Sequence, residues 1–484
     1  MGYCENVCQI CAVSFNHARC RTKYEPPEAA WGHSTSMYYA REARICYDLP
    51  EESGCEKIAR YGPLTEHIAG PNCVFDGGYS GYRISVAQMK DMKLSRYIIK
   101  KPENFSEEED APDYEKCSDY FITDQSITTQ EHWQPGDLPR YRYGVDSFLA
   151  MNYDVIDKNG FPPAVPVHDS CWKIFERVSI LRLGRVDLQG FMALWHRSAC
   201  SNCGFQNIKQ ESIIKDCKQQ WWNHIPGSEY LAANPHDVPG FSLILSEAFR
   251  HQNPYDKNKG AVWRKKQFNE DSSQPYVNLT DHFNKLPIEL NQKILYELGS
   301  KDIANLRLVS RAFRQLPQQL FRHLLVKELP WFWEIDHIQQ RKMEQVRKML
   351  LEQYGEDLSG LSERDESEHV HVQFIKDCIA MKPPSFDWKR VYDRVKLLQK
   401  GNLGVRNRVR VWGLAERIAE RIGHLRGMES PEKRYDPRDD GDNLQVIPRE
   451  EEVASGSVSY GYECSECSYY QVERMENAEQ MLDA

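Results

Sequence analysis

The chain has 484 residues, which is enough for two to four domains that each bury a core of their own. Hydrophobic residues make up 40% of it and the mean hydropathy is -0.67, so polar linkers are expected between the folded parts. The formal net charge of -9 argues against a general nucleic-acid-binding protein, because such proteins are usually basic.

The sequence shows no recognisable targeting signal. No apolar run approaches the roughly 18 residues of a membrane span. The first residues lack the basic and apolar regions of a secretory signal, and Asn6 stands where a myristoylation motif has Ser or Thr. We therefore expect an intracellular protein, cytoplasmic or nuclear or both, with no membrane partner. Its fifteen cysteines then predict metal ligands or buried thiols rather than disulfides.

Residues 1–250 are predicted to form a cysteine-rich α+β domain, and its first motif pairs Cys8 with Cys11. This C-x-x-C spacing lets a tight turn present two thiolates to one zinc ion. His168 and Cys171 open a predicted helix, where positions three apart point the same way and the helix dipole favours a thiolate. The two pairs together resemble a treble-clef site and predict structural zinc, although a long stretch of chain separates them.

A second set of potential ligands comprises Cys46, Cys55, His67 and Cys73. Its spacings of 8, 11 and 5 intervening residues match no standard zinc knuckle. We favour the interpretation that these are buried free thiols and a surface histidine, with convergence on a metal as the alternative. Further C-x-x-C pairs at 200–203 and 464–467 have no obvious partners. The eight-ligand order of a RING-type ligase is absent, so this region is expected to be a scaffold or recognition surface.

The rest of the N-terminal region alternates between loops and helices. The acidic stretch at 103–115 is expected to be a solvated loop. Apolar residues at helical spacing predict two helices between 168 and 194, with Gly184 and Asp187 at the turn that separates them. The polar residues 251–280 then predict a linker.

Residues 286–325 show three apolar stripes at helical spacing, separated by Gly299 and Pro317. The ordered string LPxEL, IL, a short turn and DIxxLRLVSRAFRQL resembles an F-box, which we place at 281–326. The resemblance implies a small helical module that docks onto a Skp-family adaptor and, through it, onto a cullin. The residues expected to contact the adaptor or to fill the module's own core are Leu286, Pro287, Leu290, Ile294, Leu308, Val309 and Phe313.

Residues 327–426 are predicted to form a C-terminal helical region, followed by a mostly disordered tail at 427–484 that is rich in proline, glycine and charge. A long charged helix is expected at 339–354. Basic helices at 389–426 suggest an alternative function, a zinc-stabilised protein that binds nucleic acid or chromatin through phosphate contacts. The other interpretation is that these arginines lie on the solvated face of an amphipathic helix, and nucleic acid is then not a partner.

The N-terminal region and part of the last third also resemble a recurrent domain of fungal F-box proteins. The matching segments are CQICAVSFN (8–16), AAWG (29–32), EHIAGPNC (66–73), GYSGYRIS (78–85), HDSCWKIFERVS (168–179), LRLGRVD (181–187), WWNHIPGSEYLAANP (221–235) and GVRNRVRVW (404–412). This resemblance implies a subunit that recruits an unknown protein substrate.

No motif for nucleotide phosphates, for a serine nucleophile or for a zinc protease occurs in the chain. We therefore expect no catalytic residues and no enzyme activity. The fold class expected is mainly α with irregular segments and minor β. The function expected is that of a non-catalytic substrate-recruiting subunit of a Skp–cullin–F-box ubiquitin ligase, possessing structural zinc.

Overall fold

The structure is a computed structural model, and it divides the chain into two units, residues 1–238 with 403–484 and residues 239–402. The residues that it describes are 7–32, 46, 50–59, 65–106, 108–127, 140–145, 164–200, 204–205, 208–218, 222–239, 281–338 and 387–427. The predicted linker, the predicted helix at 339–354 and all but the first residue of the predicted tail lie outside these ranges.

The first unit combines short strands with helices. Its strands are β1 (Arg19–Cys20), β2 (Glu56–Ala59), β3 (Thr65–Ile68), β4 (Tyr79–Ser80), β5 (Leu94–Lys100), β6 (Tyr120–Ile122), β7 (Ser126–Ile127), β8 (Ala164–His168), β9 (Ala199–Cys200) and β10 (Gly204–Phe205). Its helices are α1 (Pro50–Ser53), α2 (Val86–Met89), α3 (Asp113–Lys116), α4 (Asp169–Leu183), α5 (Leu188–Ser198), α6 (Ser212–Cys217) and, from the last third of the chain, α11 (Leu403–Leu425). Short 3-10 turns add Pro27–Ala29 and Glu229–Ala232.

An antiparallel sheet centred on β5 organises this unit. β8 pairs with one edge of β5, and β6 and β7 pair with the other. Tyr97 and Ile99 are two residues apart on β5 and therefore point to the same face. There they pack with Phe121, Tyr143 and other buried side chains. The remaining strands form the pairs β1–β4, β2–β3 and β9–β10.

Helices α4 and α5 follow β8 and meet at the predicted turn. Gly184 ends α4 in the left-handed region at φ 77°, and its N–H donates to the carbonyl of Ile180. The Asp187 carboxylate then accepts from the N–H of Gly190 at the start of α5. Both helices bury aromatic side chains against one another, and the Phe175 and Phe191 rings lie 5.1 Å apart.

Helix α11 packs against α4, α5 and the 229–232 turn, so it belongs to the same unit as the N-terminal residues. The predicted C-terminal helical region at 327–426 is thus divided between the two units. Two arginines of α11 are used inside the first unit: Arg408 donates to the carbonyls of Pro235 and His236, and Arg410 is also buried. These two side chains are not available for the phosphate contacts of the nucleic-acid alternative.

The second unit is a helical bundle. Its helices are α7 (Ile288–Glu297), α8 (Ser300–Val309), α9 (Gln318–Glu328) and α10 (Trp388–Gly401), with 3-10 turns at His282–Lys285, Arg311–Phe313 and Trp333–Ile338. Five side chains from the first three helices and the second turn form its buried core, namely Leu295, Ile303, Phe313, Leu320 and Leu324. Helix α10 packs on α9, and Tyr392 covers this core.

The predicted fold class is confirmed, since helices predominate over minor strands, and a cysteine-rich first unit accompanies a helical bundle at the predicted F-box. Among the described residues, no helix is both long enough and apolar enough to span a membrane.

One carboxylate ties the two 3-10 turns of the bundle together. Asp281 accepts hydrogen bonds from the N–H groups of Phe283, Arg311 and Ala312 and from the hydroxyl of Ser310. Burial raises the pKa of Asp281, but these hydrogen bonds outweigh it and hold the pKa below its usual value. The carboxylate thereby caps both turns at once.

Replacement of Asp281 by alanine is expected to destabilise the bundle by about 1–2 kcal/mol, the cost of losing a helix cap together with its hydrogen bonds. Hydrogen exchange of the full chain would measure this loss as faster exchange at residues 311–313. Asp302→Ala removes an exposed acid from the first turn of α8 and serves as the control. Equal exchange in the two variants would contradict the capping role.

Candidate docking surface and metal clusters

The bundle exposes apolar side chains on one side of α8. Ile303 and Leu306, three residues apart, point inward, whereas Leu308 and Val309 in the last turn of the helix are exposed. Leu308 is 86% exposed and Val309 is 79% exposed. An exposed leucine alone is ordinary, but two adjacent residues at such exposure on a small bundle suggest a surface that another protein covers.

The other predicted adaptor residues take different positions. Pro287, just before α7, and Leu290, on α7, are exposed, whereas Leu286 is half-buried. Ile294 packs partly against the core. Phe313 is fully buried at the centre of the bundle, where its ring lies 5.1 Å from that of Phe283. Phe313 has no exposed surface with which to contact an adaptor, and we assign it to the core.

The structure brings Cys8, Cys11, His168 and Cys171 together in the first unit. One potential ligand atom from each residue lies within 4.8 Å of all the others, and all four residues are buried. The Nδ1 atom of His168 is 3.4 Å from Cys11 Sγ and 3.9 Å from Cys171 Sγ. Three thiols and one imidazole are a ligand set typical of structural zinc.

The local conformation of residues 8–13 explains how two thiols point inward. The Cys8 N–H donates to the carbonyl of Val13, and the Ala12 N–H donates to the carbonyl of Cys8. Ala12 adopts φ 57°, a left-handed conformation that closes the turn. The Gln9 N–H donates to the Pro166 carbonyl, which fixes the turn beside β8 just before His168. A rigid turn and the start of α4 thus face each other.

Two more residues hold this turn from outside, and the sequence analysis missed them both. Arg410 of α11 donates to the carbonyl of Cys11 at 2.9 Å, while its guanidinium also donates to Asn407. Trp195 of α5 donates to the side-chain oxygen of Gln9 at 2.9 Å. Because arginines on a basic amphipathic helix are usually solvated, the sequence pattern gave no signal of the Arg410 contact.

The electrostatics of the cluster suit a bound cation. Burial lowers the pKa of His168, but the thiolates of Cys8 and Cys11 outweigh it and raise that pKa to about 10. Burial raises the pKa of Cys11, yet hydrogen bonds from Cys171 and Cys8 bring it well below the usual value. The cluster therefore favours a Cys11 thiolate beside a positively charged His168, while burial and the neighbouring thiols raise the pKa of Cys171. A divalent metal would supply that charge in place of protons.

The structure also brings Cys46, Cys55, His67 and Cys73 together, with potential ligand atoms that all lie within 4.8 Å of one another. His67 is only 4% exposed. The favoured interpretation of free thiols with a surface histidine was therefore wrong about the histidine, and the alternative of convergence is what the fold displays. Both Cys3His clusters could hold a metal ion.

The remaining cysteine and histidine residues form no further cluster among the residues that the structure describes. His224 serves the core, since its Nε2 accepts from the N–H of Ala18 and its Nδ1 lies 2.9 Å from the Asp76 carbonyl. The side chain of Cys200 and the residues Cys203, Cys464 and Cys467 lie outside what the structure describes.

Comparison with known proteins bears on the helical bundle. The F-box domain family matches residues 283–323, inside the predicted 281–326. A search of curated proteins found no match to the chain, and neither did a search of solved structures. The match begins in the turn capped by Asp281, spans α7 and α8 and ends within α9. The chain is therefore a protein with an F-box domain, and its cysteine-rich first unit carries two Cys3His clusters.

Proposed function

We propose that this protein is the substrate-recruiting subunit of a Skp–cullin–F-box ubiquitin ligase. F-box domains support a substrate-recognition role in ubiquitin ligases, and F-box proteins are generally non-catalytic adaptors. They usually bind a Skp-family adaptor and, through it, a cullin. The observation that carries the proposal is the exposure of Leu308 and Val309 within the matched F-box. Their apolar surface is what a partner's groove would cover.

In this proposal the first unit recruits the protein substrate while partner subunits transfer ubiquitin. Support comes from the separation of the chain into two units, because the F-box bundle and the cysteine-rich unit each have a core of their own. One unit can then bind the adaptor while the other remains available for a substrate.

The test is association of the full chain with a purified Skp-family adaptor. The two proteins are expected to co-elute from a size-exclusion column as a stoichiometric complex, and addition of a cullin is expected to shift that complex further. Separate elution of the full chain and the adaptor would overturn the proposal.

We also propose structural zinc at Cys8, Cys11, His168 and Cys171. The cysteine and histidine donors suit zinc better than magnesium or calcium, which prefer oxygen ligands. Phe15 packs over His168 with ring centroids 4.3 Å apart, so water has little access to the imidazole. The burial of all four ligands indicates a closed site with a structural rather than a catalytic role.

Replacement of Cys8 by serine is expected to lower the zinc content of the purified full chain by about one ion, because three ligands do not complete the closed site. Inductively coupled plasma mass spectrometry would measure the content per chain. Cys217→Ser is the matched control, because Cys217 is equally buried and belongs to neither cluster. Unchanged zinc in the Cys8 variant would refute this assignment.

A further inference from the structure

We propose that Cys46, Cys55, His67 and Cys73 form a second structural zinc site, independent of the first. Neither their spacing nor the F-box match points to such a site, and it rests on the folded arrangement alone. All four side chains are at most 5% exposed, and their potential ligand atoms lie within 4.8 Å of one another. Specific backbone and side-chain contacts hold the four ligands in this arrangement.

Two of the ligands come from one antiparallel hairpin. Cys55 directly precedes β2, and His67 lies on β3 opposite Lys57. The strand pairing therefore holds the Cys55 thiol at the end of the ladder, two residues before Lys57, the partner of His67. Nε2 of His67 is 3.3 Å from the sulfur of Cys73, which follows the hairpin in the chain.

Two glycines let the turns that bear Cys55 and Cys73 touch. A Cβ atom on Gly70 would lie 2.2 Å from the backbone of Ser53 and Gly54, so only glycine fits there. Gly54 itself has φ +66°, which favours glycine as well. The close approach lets the N–H of Gly70 donate to the sulfur of Cys55 at 3.3 Å. Such N–H donors stabilise metal-bound thiolates.

The fourth ligand, Cys46, is held by a serine that bridges it to Cys55. The Ser53 hydroxyl donates to the carbonyl of Cys46 at 2.8 Å, and the same oxygen accepts from the N–H of Cys55 at 3.1 Å. This bridge sets the backbone of Cys46 beside the hairpin turn. Backbone contacts therefore position thiols from three separate places in the chain.

The surroundings explain what a metal would contribute. Among the residues that the structure describes, the buried cluster around these ligands contains Cys20, Cys46, Cys55, Ala69, Cys73 and Phe75, of which only Phe75 is a large hydrocarbon side chain. The Phe75 ring packs against His67, with centroids 4.6 Å apart. A region with so little apolar side chain needs another source of cohesion, and bonds from zinc to four ligands supply one.

Cys20 offers an internal control because it is buried in the same cluster without being one of the four ligands. It lies on β1, and its sulfur is 3.8 Å from the carbonyl of Gly78, to which it donates. A nonspecific collection of reactive thiols would use Cys20 as readily as its neighbours. A defined zinc site would not.

The test measures the number of zinc ions per molecule of the full chain, which is expressed in medium that contains zinc. About two ions per chain are expected in the unaltered protein, as structural sites retain their metal through purification. Cys55→Ser and Cys8→Ser are each expected to leave about one ion, the double variant about none, and Cys20→Ser about two. A content near one in the unaltered chain that vanishes in Cys8→Ser would overturn the second site and leave the first intact.

A ligand exchange guards against a variant that merely fails to fold. His67→Cys keeps four zinc-binding groups and is expected to retain about two ions, whereas His67→Asn is expected to retain about one. Cobalt in place of zinc should show the absorption of tetrahedral thiolate coordination at both sites in the unaltered chain. Two retained ions in both Cys55→Ser and His67→Asn would refute the assignment. Co-elution with the Skp-family adaptor is measured separately, so its outcome does not depend on this site.

Discussion

Replacement of both Leu308 and Val309 by lysine is expected to abolish co-elution of the full chain with a Skp-family adaptor. Hot-spot contacts in protein interfaces each contribute about 2 kcal/mol or more, and with both side chains in that role their loss corresponds to an affinity roughly a thousandfold lower. Lysine is chosen because the two positions end α8, where the helix dipole favours a cation. The measurement is the dissociation constant of the full chain and the adaptor.

The high exposure of the two side chains makes this variant informative. Substitutions at exposed positions usually change stability by no more than about 0.5 kcal/mol, so the bundle should remain folded. Leu397→Lys is the matched control, since Leu397 is 59% exposed on α10 near the end of its helix. Affinity that is equal in the double variant and in the control would contradict docking through α8. Hydrogen exchange of the F-box core would confirm that both variants are folded.

The F-box was predictable because its information is local. The same small bundle is predicted by three features together: the apolar stripes, the proline at the start of the first helix and the short turns. What sequence did not decide was which apolar residues face inward. Phe313 and Val309 lie four residues apart in similar sequence surroundings, yet Ser310 ends α8 between them. The change of direction buries Phe313 and leaves Val309 exposed.

The two Cys3His clusters differ in how far local patterns indicate them. Cys8 with Cys11 and His168 with Cys171 are short motifs whose geometry follows from a tight turn and a helix start. The second cluster draws on a hairpin, a touching pair of turns and a separate segment, so no fixed spacing marks it. Gly54 and Gly70 were its available signal, because a close backbone approach requires glycine.

The position of α11 could not be predicted from its own sequence. Helical periodicity indicates which residues are buried, but not the partner that buries them. The buried arginines add a second obstacle, because Arg408 and Arg410 donate hydrogen bonds to backbone carbonyls. Every residue has a backbone carbonyl, so a hydrogen bond to one leaves no signal in the sequence. Basic residues on an amphipathic helix then look the same whether they contact solvent, phosphate or the protein interior.

Deletion of residues 403–484 is expected to unfold the first unit, although that unit is mostly built from residues before 239. Six large apolar side chains of α11 are buried in it, namely Val405, Val411, Trp412, Leu414, Ile418 and Ile422. Burying each contributes about 1.5 kcal/mol at least, so together they supply about 9 kcal/mol. A typical domain has a net stability of about 5–15 kcal/mol, so this loss is comparable with the whole.

Polar contacts add to the same expectation. Asn407 donates to the carbonyl of Ala233 at 2.7 Å, and Arg426 pairs with Asp187 through two contacts of 3.1 Å. Removal of α11 would leave these buried or half-buried groups, and the Cys11 carbonyl bound by Arg410, without their partners. The zinc turn at residues 8–13 would then lose one of its supports.

The control is a deletion of 428–484, which retains α11 and all of these contacts. Hydrogen exchange at α4 should be slow in the control and fast in the longer deletion, because α11 covers α4 directly. The zinc content should fall together with this protection, since a cluster between a turn and a helix start needs both in place. Slow exchange at α4 in the absence of 403–484 would contradict the assignment of α11 to the first unit. The structure argues for keeping α11 in any fragment that is used to search for substrates. Only the contradicting result would make a fragment that ends before residue 403 a sound choice.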